Sequence, residues 1–283
     1  MKADCHIHMV LDSVDWKAAL LRHEAAPQEG FVRKTLARYR ELGYGYLRDG
    51  GDRWGVSALA KKLAPEYGIC YRSPLAPLCR TGHYGMFIGL GFEREKDFAR
   101  LVALQKQNGA DFIKIMASGL MDFHRFGLVT DEPMDRGLLR SLVHIAHEEG
   151  LAVMVHANGA AAMEAAGAAG ADSVEHGAYA DEEALTAMAQ AGTVWVPTLS
   201  TVGNLVGSGG DDRFDSGVVK AILEHTGQML RRFVELGGIV APGTDAGAWA
   251  VPHGCPTEEA HLLAAGISAE QMAKGVERIR SVF

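Results

Sequence analysis

The stretch that decides the fold runs DFIKIM (111–116), RGLLRSLVHIAHEEG (136–150), LAVMVHANG (151–159) and, after an alanine-rich segment, ADSVEHG (171–177). Short runs rich in Val, Ile and Phe flank a longer segment in which Leu138, Leu139, Leu142, Val143 and Ala146 recur at three- and four-residue steps. The short runs read as buried strands and the long one as a helix with a single apolar stripe. Strand, helix and strand in this rhythm build parallel βα units.

Outward from there the pattern continues in both directions. Strand candidates fall at 3–8, 45–48, 69–74, 87–90, 112–116, 152–156, 173–176, 193–197 and 239–242. That is one more than a closed (β/α)8 TIM barrel needs, and 87–90 is assigned to the loop after the third strand. Ala184, Leu185, Met188 and Ala189 form a second helical stripe, and helices close on glycine in EEG (148–150), QAG (190–192) and ELGG (235–238). Glycine tolerates the left-handed backbone of a helix C-terminus, which places these boundaries. Residues 200–217, STVGNLVGSGGDDRFDSG, read as a mobile loop after the seventh strand, overhanging the face where such barrels act.

The chain has 283 residues, and a (β/α)8 barrel takes ~250. One barrel domain over 1–283 is the expectation. Apolar residues at 48% and charged ones at 22% are ordinary globular usage. The net charge of −7, with basic residues scattered among acids, argues against nucleic acid, whose backbone calls for clustered positive charge. Cys5, Cys70, Cys79 and Cys255 suit neither a disulfide framework nor a CxxC zinc site, and a cytoplasmic location is expected. MKADCHIHM lacks the apolar core of a signal peptide, and the small-residue stretch 150–170 is broken by His156, Asn158 and Glu164, so no membrane association is expected. The expected partner is a small-molecule substrate, with homo-oligomerisation left open.

The chemistry concentrates at strand ends. The first strand finishes HIH, whose two-residue period puts His6 and His8 on one face about 7 Å apart. Alone, HxH is as often a solvated pair as a metal site. His156 ends VMVH, His176 ends SVEH, and Asp245 follows an apolar run in IVAPGTDAG. These are zinc-preferred donors where parallel strands give way to loops, the catalytic end of a barrel. Ile113 and Ile115 face one way, so Lys114 faces the other, and strands of parallel sheets are covered on both faces. A neutral amine beside two cations is a poor ligand, whereas a carbamate formed with carbon dioxide offers two anionic oxygens to bridge them.

HxH followed by Lys, His, His and Asp on strands one, four, five, six and eight resembles the amidohydrolase superfamily in its binuclear, carboxylated-lysine form. KIMASG (114–119), VHANG (155–159), DSVEHG (172–177), VPTL (196–199) and PGTDAG (242–247) are similar to the branch holding imidazolonepropionase-like proteins and metal-dependent prolidases. The likeness is close over 110 to about 254 and looser over 4 to 51. It implies two divalent ions, zinc by preference: His6, His8 and Asp245 on the first, His156 and His176 on the second, and carboxylated Lys114 between them. A bridging hydroxide would attack a polarised carbonyl, with Asp245 as the general base that passes the proton to the leaving nitrogen. Relatives carry an accessory β-sandwich and a Thr- and Asn-containing C-terminal segment; neither has a counterpart around a first strand near Met1 or after KGVERIRSVF (274–283), so a bare barrel is expected.

Loop residues Arg80, His83, Tyr84, His124, Arg125 and His253 are candidates for gripping a substrate carboxylate or stabilising an oxyanion, weighed against ordinary solvated loop positions. His23, His144, His147, His225 and His261 fall in helical segments and read as surface or satisfied histidines. Asp49 reads as a residue that orients a ligand, Trp195 as core, and Thr198 as a pocket residue. The leading expectation is hydrolysis of an amide, in a dipeptide or N-acyl amino acid. The alternatives are a cyclic amide or lactone hydrolase, a deaminase, or a metal-binding barrel without catalysis.

Overall fold

The computed structural model describes residues 2–207 and 212–283. Ten strands are present among them: β1 (Lys2–Ile7), β2 (Tyr44–Asp49), β3 (Cys70–Arg72), β4 (Leu78–Arg80), β5 (Leu90–Phe92), β6 (Phe112–Met116), β7 (Ala152–Ala157), β8 (Ser173–His176), β9 (Val194–Val196) and β10 (Ile239–Val240). All pairings between them are parallel, in the orders β1-β2-β3 and β10-β9-β8-β7-β6-β4-β5. Backbone bonds close the two arcs into one ring. Cys5 N donates to Pro242 O at 3.0 Å on one side, and Asp111 N donates to Ser73 O at 2.9 Å on the other.

The third place in the ring is shared. β3 pairs with β2 and β4 pairs with β6, because SPLAP (73–77) interrupts the strand expected at 69–74. Its two prolines donate nothing to a ladder, and Leu75 turns with φ +65. The candidate at 87–90 lies outside the ring, as its loop assignment requires, yet β5 begins at its last residue and adds to the flank of β4. Of the loop expected at 200–217, residues 208–211 lie outside the described residues. Ser200–Gly203 is a short helix, and a long helix, Ser216–Glu235, starts at the far end.

Helix boundaries follow local chemistry. Side chains of Asp135, Asp181 and Asp215 each accept a first-turn N–H at 2.9 Å, and Gly150 and Gly192 end their helices with φ +73 and +71. Outside the ring, Ile113, Ile115, Val153 and Val155 pack against Leu139, Leu142 and Val143 of the helix Arg136–Glu148. Lys114 is thereby turned inward.

Inside the ring the side chains lie in layers. The lowest contains Tyr46, Phe112, Met154, Val194, Ile279 and Phe283, and each such buried apolar side chain contributes about 1.5–3 kcal/mol. The helix Ala269–Val282 closes this end against β10. It comes so near that a Cβ on Gly275 would sit 2.0 Å from Val240 O. The middle layer is polar and fully enclosed: Arg48, Ser173 and Glu175, each 0% exposed. Above it, at the C-terminal ends of the strands, stand the histidines. No helix among the described residues is long and apolar enough to cross a membrane.

Candidate metal centre

The six candidate ligands reach the centre from five strands or the turns that follow them. His6 and His8 come from the end of β1, where a register shift between Asp4 and Ile7 disturbs strict alternation. Their Nε2 atoms are 3.3 Å apart. Asp245 follows β10, with Oδ1 3.3 Å from His8 Nε2 and 3.5 Å from His6 Nε2. One donor atom from each of these three lies within 4.8 Å of the others. His156 and His176 end β7 and β8 with ring centroids 4.6 Å apart, and His176 lies 5.0 Å from the His6 ring. Lys114 shares the cavity with His8, His156, His176 and Asp245.

Three buried polar atoms here have no hydrogen-bond partner among the described residues: His8 Nδ1, Lys114 Nζ and Asp245 Oδ1. Buried polar groups are otherwise almost always paired, so these three, on residues that line one cavity, suit a bound ligand. The electrostatics agree. Burial, with the Lys114 charge next, brings His8 and His156 down to about 3 and His6 well below the usual imidazole value; His176 falls likewise through burial and His156. Neutral imidazoles are the form that binds metal. Burial lowers Lys114 to about 8 and raises Asp245 to about 7.

The supports behind these side chains are specific. His6 Nδ1 meets Glu175 Oε2 at 2.5 Å, and Glu175 Oε1 accepts from Arg48 Nη2 at 2.8 Å and Ser173 Oγ at 2.5 Å. With Nδ1–H donated to a carboxylate, the His6 Nε2 lone pair faces the centre. His156 Nε2 lies 3.1 Å from Gly119 O, which leaves Nδ1 free to bind. Thr198 Oγ1 holds His176 Nδ1 at 2.8 Å. Asp4 accepts from Thr244 N and Oγ1 at 2.9 and 2.6 Å, pinning the turn that carries Asp245. Gly50 gives the His8 ring room, since a Cβ there would fall 2.3 Å from His8 Cε1. His176, Thr198 and Asp245 all adopt left-handed backbone, with φ +68, +48 and +60, a strain of about 1–3 kcal/mol each that accumulates at functional sites.

The profile of the Amidohydrolase family matches residues 54–280. The chain belongs to the amidohydrolase family. Ochratoxinase of Aspergillus niger is 28% identical over 278 residues, covering 86% of this chain; the chain spans 56% of that relative's length. Among solved structures, the same fold appears in A. niger ochratoxinase (TM-score 0.79, 23% identity, 99% of this chain and 69% of that one). It also appears in a Xaa-Pro dipeptidase with bound methionine in the active site (TM-score 0.78, 22% identity, 98% and 74%). The family match begins beyond His6 and His8, which barrel closure brings to the other four residues.

In this amidohydrolase the cavity over the centre has a volume of about 380 Å³, at the small end of the roughly 300–1,000 Å³ of ligand sites. Of the six substrate candidates, Tyr84 lines it, with its ring 4.9 Å from that of His156. The other five are placed elsewhere. Arg80 and His83 border an adjoining crevice in which His83 Nδ1 pairs with Asp131 at 3.2 Å. His124 and Arg125 are exposed, their N–H groups bonded to Asp122. His253 is enclosed between Tyr39 Oη, 3.1 Å away, and Leu11 O at 3.0 Å, and serves the loop's packing. Asp49 braces the main chain after His8 by accepting from Met9 N at 3.3 Å, and touches no ligand side chain. Trp195 is core, as its sequence suggests, and Thr198 acts through His176. Glu175 and Arg48 are absent from the sequence-derived site; the only hint was a charged residue within each of the buried runs SVEH and YLRD.

Proposed function

We propose that this protein is a metal-dependent hydrolase that cleaves an amide C–N bond. The gathering of His6, His8 and Asp245 donor atoms within 4.8 Å of one another, at a cavity that His8 and Asp245 share with Lys114, His156 and His176, carries the reading. His6, His8 and Asp245 suit one divalent ion, and His156 and His176 a second. Nitrogen and carboxylate donors favour zinc. Bound ions of this kind polarise a carbonyl and bring water toward its nucleophilic form.

This chain's own groups do the rest. At a pKa of about 8, Lys114 has a neutral fraction at physiological pH. Its Nζ could attack carbon dioxide, forming the N–C bond and releasing one proton, and the carbamate would offer anionic oxygens to the ions that the two ligand sets would hold. Asp245 receives a proton from the attacking water and delivers it to the amide nitrogen as the C–N bond breaks. Tyr84, whose phenol burial keeps protonated, supplies an O–H donor on the wall for the developing oxyanion. Of the substrates expected from the sequence, a dipeptide or an N-acyl amino acid, the dipeptide is the one that a relative's name, Xaa-Pro dipeptidase, points to; the lining of the cavity bears on both. We also place the protein in a reducing compartment, the cytoplasm, since all four cysteines are free thiols.

The experiment compares purified protein with chelator-treated protein and with Lys114→Ala on a panel of N-acyl amino acids and neutral amides. Hydrolysis is expected to vanish on metal removal, to return with zinc and bicarbonate, and to be lost in Lys114→Ala. Full hydrolysis by metal-free protein, or by the variant, would overturn the proposal.

A further inference from the structure

Away from the ligands, and apart from the Tyr84 and Thr201 side chains, the wall of the cavity is mostly apolar. Trp16 at the start of a helix, Tyr84 and Phe87 after β4, Phe123 after β6 and Trp249 after β10 face it, and Met116, Leu120 and Met121 fill the gaps. Among the described lining residues Lys114 is the one lysine or arginine, and its amine belongs to the centre. Residues 208–211 read SGGD and add no base. An ionised substrate carboxylate seated on this wall, away from the ions, would lose its water without gaining a cationic side chain, at a cost that disfavours it.

The nearby basic side chains are placed otherwise. Arg80 borders the adjoining crevice, Arg125 lies 3.5 Å from Asp122, and Arg213 is exposed and stacks over the Trp249 ring at 3.8 Å. The apolar character instead runs outward to solvent: Trp16 and Leu120 both line the cavity and are 49% and 41% exposed. A continuous apolar surface from rim to centre marks a binding surface for an apolar ligand.

We propose that this site takes neutral amides bearing aromatic or branched apolar groups on either side of the scissile bond, and discriminates against amides with a carboxylate beside the leaving nitrogen. Free dipeptides and N-acyl amino acids are thereby poor substrates. The inference rests on the reading of the site as an amide hydrolase and departs from the dipeptide and N-acyl amino acid substrates expected from the sequence. Cleavage adds one water across the C–N bond to give a carboxylic acid and an amine, with no further co-reactant.

The test uses metal-loaded, full-length protein and two compounds identical except for one carboxylate: N-phenethyl phenylacetamide and N-phenylacetyl-phenylalanine. The neutral amide is expected to show a kcat/KM higher by about tenfold or more, and Trp249→Ala, with unchanged metal content, to lose about tenfold on it, a pocket-contact effect of ordinary size. Equal or faster hydrolysis of the acid overturns the inference and leaves the hydrolase reading standing. If Arg213→Met then removes the acid's advantage, a rim cation serves the carboxylate. If neither compound is cleaved, the hydrolase reading fails, and tryptophan fluorescence titration with the corresponding ketones, a methylene in place of the amide NH, still decides the wall. Tighter binding of the neutral ketone supports the inference; equal or tighter binding of its carboxylate analogue overturns it.

Discussion

Replacing Glu175 by Gln tests the enclosed layer beneath the metal centre. The change keeps the shape but removes the negative charge that meets His6 Nδ1 at 2.5 Å and Arg48 Nη2 at 2.8 Å. Arg48 is 0% exposed. Its remaining polar contacts are Cys5 O at 2.7 Å and Ser173 Oγ at 2.9 Å, and its charge also lies over the Phe283 ring at 4.4 Å. Breaking one side of a buried pair leaves an uncompensated charge, at about 3–5 kcal/mol. Against a total stability of about 5–15 kcal/mol the variant still folds, so the loss is measurable. His6 meanwhile loses the carboxylate that sets its tautomer, and metal affinity is expected to fall about 10–100-fold. Urea unfolding of the metal-free protein and competitive zinc titration read the two effects separately. Adding Arg48→Met removes the stranded charge, so the double variant regains most of the stability, while its zinc affinity stays low because His6 is still unsupported. The reasoning is refuted if Glu175→Gln unfolds within about 1 kcal/mol of wild type with unchanged zinc affinity, or if the double variant is no more stable than the single one.

Gly50→Ala places a methyl 2.3 Å from His8 Cε1 at a backbone that alanine tolerates. The ring must swing away while the fold holds, and zinc affinity is expected to drop about tenfold or more with little change in the melting temperature of the metal-free protein; unaltered zinc binding would contradict the packing argument. His253, which is not among the ligands, supplies a pH test. Burial holds it down to about 4 from 6.5, so the unfolded chain takes up a proton over a window in which the folded chain does not. Stability from this group is intact above about pH 6.5 and is lost as the pH falls toward 4, by about 3 kcal/mol in all. Unfolding free energies of wild type and His253→Gln, from urea titrations, should therefore converge by that amount between about pH 7.5 and 4, and a pH-independent difference would refute the assignment.

What the chain disclosed before folding, and what it withheld, follows from the range of the interactions. His6, His8, His156, His176 and Asp245 were visible because each ends an apolar run, and the period of a strand is local. Lys114 was visible because the isoleucines on either side settle which way it faces. Glu175 and Arg48 were not, because their partnership joins β8 to β2 across the barrel and looks, in sequence, like two ordinary charges. The broken third strand was hidden by reading SPLAP as a strand end when it is a bend between two halves. The loop candidates misled for a related reason: His83, His124 and Arg125 carry the right chemistry but are engaged by Asp131 and Asp122 in their own surroundings. The apolar wall escaped notice because its aromatics come from four separate parts of the chain, between Trp16 and Trp249.

The central claim is a pair of metals held by six residues with a modified lysine between them. Its most direct test is anomalous scattering from crystals grown with zinc and bicarbonate. The account predicts two zinc peaks at the mouth of the barrel, one against His6, His8 and Asp245 and one against His156 and His176, with Lys114 density extended by a carbamate that contacts both. An unmodified Lys114 with no anomalous peak among these residues would contradict it.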